Sequence, residues 1–209
     1  MARVITFVVC LGPLARLLIL GLFDVDGGLG ANPVEFVTRS LGTWTLVGLC
    51  ITLAVTPLRR LTGRNEWIRL RRMLGLFTFF YATLHLMTYV WLDQYFDVGA
   101  MVHDIVKRPF ITMGFLSFVL MVPLAITSTN AMIRRLGRNW SRLHKLIHAA
   151  AITAILHYLW HKAGKHLYTE PAIYGAIVAA LLGWRVLDYL GKRRSRANNS
   201  ATVSRSRTS

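Results

Sequence analysis

The chain has 209 residues, 54% of them hydrophobic and only 16% charged, against about 25% charged in soluble domains. With a mean hydropathy of +0.45, this excludes an ordinary soluble domain and points to an integral membrane protein. The formal net charge of +16 would suit nucleic acid. However, the Lys and Arg residues gather between apolar stretches and in the tail, as membrane orientation requires, and nucleic acid is set aside as a partner.

The apolar stretches predict six membrane spans: Val4–Phe23, Leu41–Leu58, Met73–Leu92, Phe110–Ile126, Lys145–Lys162 and Ala172–Leu190. Each is near the ~20 residues that cross a bilayer. The first lacks a small-residue cleavage site after it, so it is expected to stay in the mature chain. The expected organisation is one six-helix transmembrane domain over 1–190 and a basic, disordered cytoplasmic tail over 191–209, where the Ser- and Asn-rich composition cannot build a core. No internal repeat is apparent. Cys10 and Cys50 fall inside spans and form no CxxC, so they read as helix-packing residues.

Charge sets the orientation. The segments Arg59–Arg72 and Arg134–Lys145, and the tail after Leu190, are rich in Arg and Lys. The alternate segments hold Asp24, Asp26 and Glu35, then Asp93, Asp97 and Asp104, then Glu170. The basic side is cytoplasmic by the positive-inside rule, which puts both termini in the cytoplasm.

Histidine is costly in hydrocarbon and marks function there; neutral imidazole is a common haem ligand. His85 lies thirteen residues beyond Arg72, and His157 thirteen beyond His144, about 20 Å along a helix. His85 and His157 therefore share a depth in the outer leaflet and are the candidate axial pair of one haem. His144 sits at the cytoplasmic edge with no histidine opposite; His148, one turn on, is the local candidate for completing a second site. Each histidine has a plainer reading as an interhelical hydrogen-bond partner. The i,i+4 pairs His144/His148 and His157/His161 also have zinc-compatible spacing, without an accompanying carboxylate or cysteine. His161 and His166 are expected at a solvated edge and His103 in an exposed loop.

Arg16, within the first span near the depth of His85, either snorkels to the interface or meets a haem propionate. Arg71 and Arg72, at the cytoplasmic mouth of the third span, either set orientation or bind haem propionates or a flavin phosphate. A transporter or channel would need polar residues inside the spans, and these are nearly absent.

The runs GGLGANPVEF, TPLRRL, RRMLGLFTFFYATLHL, KRPFITMGF, LAITSTNAMIRRLGRNWSRLHKL and ILHYLW occur in this order. From about Gly27 to Trp160 the chain thereby resembles the haem-binding membrane subunits of bacterial periplasmic methionine sulfoxide reductase systems, within the ferric-reductase-like transmembrane superfamily. The resemblance implies an all-α six-helix bundle in the bacterial inner membrane. It implies one or two b-type haems, with FMN as an associated flavin. It implies electrons from quinol or a cytoplasmic flavin reductase, passed to a periplasmic molybdopterin-dependent methionine sulfoxide reductase. The family's haem ligands map onto His85, His144 and His157. NADPH oxidases of the superfamily carry two histidines on each of two helices; here Arg72 stands at the thirteen-residue position before His85. No NADPH- or FAD-binding domain is expected, so the donor is a partner. The alternative is a stand-alone ferric or superoxide-producing reductase. The outer segments Gly27–Glu35 and Asp93–Asp104 are the expected docking surface.

Overall fold

A computed structural model of the chain describes residues 1–23, 29–164 and 166–206, with side chains described as far as 195. The described residues form helices without strands: α1 (Ala2–Phe23), α2 (Pro33–Thr62), α3 (Glu66–Thr88), α4 (Val98–Lys107), α5 (Pro109–Ile126), α6 (Asn130–Leu136), α7 (Arg138–Leu143), α8 (Leu146–Ala163) and α9 (Thr169–Ser206). α3 runs on through a π-helical turn, Tyr89–Asp93.

Local chemistry sets the boundaries. Asn32 caps α2 by accepting the Glu35 N–H at 3.1 Å, with Pro33 in the first turn, where its missing N–H costs nothing. Gly63 ends the same helix at φ 68°, in the left-handed region that glycine enters freely. Asp97 caps α4 through the Ala100 N–H.

Five helical stretches are long and apolar enough to cross a membrane: Ala2–Phe23, Pro33–Thr62, Glu66–Asp93, Pro109–Ile126 and Thr169–Ser195. The expected fifth span corresponds to α8, which is not among them. Its eighteen residues include His148, His157, His161 and Lys162, and those groups lower its hydropathy. α9 runs on through residue 190, the expected domain boundary, as far as Ser206.

The centre is a four-helix core. α2 packs along α3, α5 along α8, and α9 lies against α2 and α8. Leu49, Ala82, Met121 and Ala150 meet at one point, one residue from each of α2, α3, α5 and α8. A second layer joins Cys50, Leu53 and Ala151 to Val178 of α9, so Cys50 packs as expected. α1 is tied on by Leu17 against Leu41 and Tyr81, whose hydroxyl donates to the Cys10 carbonyl at 2.6 Å. Small residues at the crossings let the backbones approach, the usual basis of helix association in lipid. Leu22, Phe23 and Leu187 point outward at 70% exposure or more; a surface of this kind is stable in lipid and a liability in water.

Candidate functional site: a histidine pair held by two carbonyls

His85 lies in the last turn of α3 and His157 in the second half of α8. Their Nδ1 atoms are tied alike. His85 Nδ1 donates to the Thr38 carbonyl on α2 at 2.9 Å, and His157 Nδ1 donates to the Phe110 carbonyl on α5 at 2.6 Å. A carbonyl only accepts, so each Nδ1 carries the proton and each Nε2 keeps its lone pair. A backbone carbonyl on the far ring nitrogen is the usual second partner of a metal-bound histidine; it fixes the tautomer and raises ligand basicity.

The two rings have centroids 6.1 Å apart and planes at 70°. An imidazole nitrogen stands about 2 Å from a bound metal, so two rings facing one ion from opposite sides have centroids about 6 Å apart. Among the described residues no group of three or more His, Cys, Asp or Glu is placed to hold a metal ion. Two imidazoles with no third protein donor suit an ion that brings its own equatorial ligands. Haem iron is such an ion, and the residues present fit it.

The opposite end of the bundle is built differently. His144 follows α7, stacks on Trp140 with centroids 3.9 Å apart, and donates Nδ1–H to the Trp140 carbonyl. Partial burial and the nearby Arg71 guanidinium hold its pKa below the usual imidazole value. His148 is engaged from α9: its Nε2 accepts from Arg185 Nη1 at 2.8 Å, while Arg185 Nη2 donates to the Leu53 carbonyl at 3.0 Å. Arg72 is exposed and donates to Asn130 Oδ1 at 2.6 Å.

Arg16 is exposed on α1 and lines a groove of about 760 Å³ with Glu35, Arg39, Trp44, Lys162 and Glu170. Neither His85 nor His157 is in that lining. His161 departs from the expected solvated edge: its half-buried ring stacks against His157 and lies 5.5 Å from the Phe110 ring. The i,i+4 spacing turns it toward the same face of α8. His103 is exposed, as expected. The outer segment Asp93–Asp104 differs from a plain loop. It contains most of α4, and Asp104 turns inward to accept from Tyr89 and Gln94 and to pair with Arg108. Of the other expected docking segment, Gly27–Glu35, residues 27 and 28 lie outside the described residues.

Reading side chains alone misses Thr38 and Phe110, because they act through their carbonyls. A signal for the arrangement does exist. Each carbonyl precedes its histidine by 47 residues, and both partners shift by 72 from one unit to the next. The carbonyl–histidine contact of α2–α3 thus recurs in α5–α8 at a constant shift, a local repeat of one contact that was not expected from the sequence. GRN at 63–65 and 137–139 lies 74 residues apart, and WIRLRR at 67–72 and WSRLHK at 140–145 lie 73 apart, so these echoes are one or two residues out of register with the 72-residue shift. Two apolar spans share composition whether or not they are related, so the repeat hides in their sequence.

Residues 41–155 match the family model described as ferric reductase like transmembrane component. The chain is 60% identical over 185 residues to the protein-methionine-sulfoxide reductase heme-binding subunit MsrQ of Ralstonia nicotianae, covering 88% of this chain and 84% of that protein. It is 55% identical over 203 residues to the protein of the same name from Herminiimonas arsenicoxydans, covering 97% and 91%. A third, from Xanthomonas campestris pv. campestris, is 53% identical over 173 residues, covering 83% and 78%. With identity this high across nearly the whole length, and with the family model matching over half the chain, the protein belongs to the ferric-reductase-like transmembrane components and, among them, to the MsrQ family.

Proposed function

We propose that the chain is the haem b membrane subunit of a protein-methionine-sulfoxide reductase system, and that it carries electrons across the bacterial inner membrane. The observation that carries this reading is the His85–His157 pair, 6.1 Å apart with both Nδ1 protons committed to carbonyls. The relatives' names, which call them heme-binding subunits, support it. The sequence has no CxxC beside a histidine, so attachment is non-covalent, as in b-type cytochromes. When bound, haem supplies one-electron chemistry at a potential set by its ligands and their surroundings.

The residues provide the rest. His85 and His157 would hold the iron through their two Nε2 lone pairs. The Thr38 and Phe110 carbonyls keep both rings in the basic tautomer, which favours the ferric state. The four apolar helices exclude water and hold the rings still between oxidation states. The pair lies near the starts of α2 and α5, and Arg71, Arg72 and His144 lie at the other end. With the arginine-rich end cytoplasmic, both termini are cytoplasmic and the pair faces the periplasm. α8, fifth in chain order, then brings the crossings to six.

Electrons enter at the inner end from quinol or a cytoplasmic flavin reductase and leave at the outer end to a periplasmic molybdopterin-dependent reductase, where methionine sulfoxide chemistry takes place. His144 marks a second, incomplete haem site with Arg71 and Arg72 as its anion-binding side chains; those arginines would equally meet the phosphate of FMN.

The test is a proteoliposome holding the chain, with a reduced flavin donor inside and the periplasmic reductase outside. Methionine sulfoxide reduction that needs the chain and His157 supports the reading. Acceptor reduction at equal rate without the periplasmic reductase would favour a stand-alone reductase instead.

A further inference from the structure

The two histidine seats share a feature that is not a ligand. Gly42 stands four residues after Thr38, and Gly114 four residues after Phe110, on α2 and α5. A helical carbonyl points along the axis toward the residue four positions on, whose N–H it already accepts. An imidazole that is to donate to the same carbonyl must lie over that residue. A side chain on Gly114 would put its Cβ 2.7 Å from His157 Nδ1 and 2.9 Å from Cε1; on Gly42, 3.1 Å from His85 Cε1 and 3.3 Å from Nδ1. The obstruction in each case is the imidazole itself.

We propose that Gly42 and Gly114 are the positioning residues of the haem centre, one in each repeated unit. The missing side chain lets the axial imidazole reach the carbonyl one turn earlier. This rests on the haem reading above. Both glycines shift by the same 72 residues that relate the histidines and the carbonyls. Each unit thus carries one seat of three parts: a carbonyl, a glycine one turn later, and a histidine on the paired helix. The two seats are not equally tight. At 2.7 Å the ring must move, whereas at 3.1 Å a shift of a few tenths of an ångström suffices. Because what moves is a side-chain ring and not packed backbone, the helices tolerate the change and the seat does not.

The experiment compares purified full-length wild type with Gly114→Ala, Gly42→Ala and Gly183→Ala, the last a helical glycine with open space around it. The readouts are haem per chain, ferric spin state and midpoint potential. The expected result is a low-spin wild type and a monodisperse Gly114→Ala that loses at least half its low-spin signal, with the remaining haem shifted to a higher potential. Gly42→Ala shifts the same way by less, and Gly183→Ala matches wild type. A Gly114→Ala protein with wild-type haem content, spin state and potential would overturn the proposal. Should Gly114→Ala not give monodisperse protein, the potential of Gly42→Ala decides, and a wild-type value overturns it. A folded wild type without low-spin haem overturns the haem reading along with the seats, and so is distinguishable from failure of the seats alone.

Discussion

The two ends of this bundle hold similar residues in opposite states. At one end, His85 and His157 lie with ring centroids 6.1 Å apart, each Nδ1 proton spent on a carbonyl and each Nε2 keeping its lone pair. At the other, His148 has its Nε2 occupied by Arg185, and His144 lies against Trp140 with no histidine across from it. The contrast separates a histidine prepared for a metal from one engaged in helix packing. What distinguishes His148 from the outer pair is which nitrogen the protein uses; His144, whose Nδ1 also donates to a carbonyl, differs in having no histidine across from it. The 72-residue shift makes the contrast sharper: it puts Arg72 where His144 stands. One end of the bundle is symmetric in its donors and the other is not.

Substitutions break this comparison in order of size. The largest effect is expected from His85→Ala and His157→Ala, each of which removes one axial donor. The low-spin signal disappears in both, and haem per chain falls by at least half, measured by pyridine haemochrome assay on detergent-purified protein. His144→Ala is expected to leave that outer low-spin signal intact while slowing reduction by an inner-face donor, read by stopped-flow absorbance. Equal loss of the outer signal in His144→Ala would erase the distinction between the two ends.

A smaller effect follows from Arg185→Met. It strips His148 and the Leu53 carbonyl of a charged donor, and a hydrogen bond to a charged group contributes about 1.5–3 kcal/mol. Thermal unfolding in detergent should fall by a few degrees with the haem spectrum unchanged. Asp104→Asn is expected to do least. It keeps the side-chain oxygen that accepts from Tyr89 and Gln94 and gives up only the pair with a half-exposed Arg108, an interaction worth about 0–1 kcal/mol. The same unfolding assay checks it.

Much of this was legible in the sequence. Hydropathy and arginine placement gave the membrane class, and five of the expected spans are long and apolar enough by both measures. The exception is α8, where function works against the signal: the histidines that matter are what depress its hydropathy. The thirteen-residue spacings put His85 and His157 at one depth, and the structure brings them together. The carbonyl partners were not legible, since Thr38 and Phe110 contribute backbone. Nor was His148's engagement with Arg185, which joins residues 37 positions apart on different helices. α4 was also missed. Its ten residues are too few to read as a span, and its acidic residue, which looked like a surface charge, is in fact buried.

The most direct test of the central claim is the electron paramagnetic resonance spectrum of the ferric, detergent-purified wild-type chain, with haem counted per protein. The account predicts a low-spin signal from iron held by two imidazoles at not less than one haem per chain. Folded protein that carries no haem, or only high-spin haem lacking one imidazole, would contradict it and return His85 and His157 to helix packing.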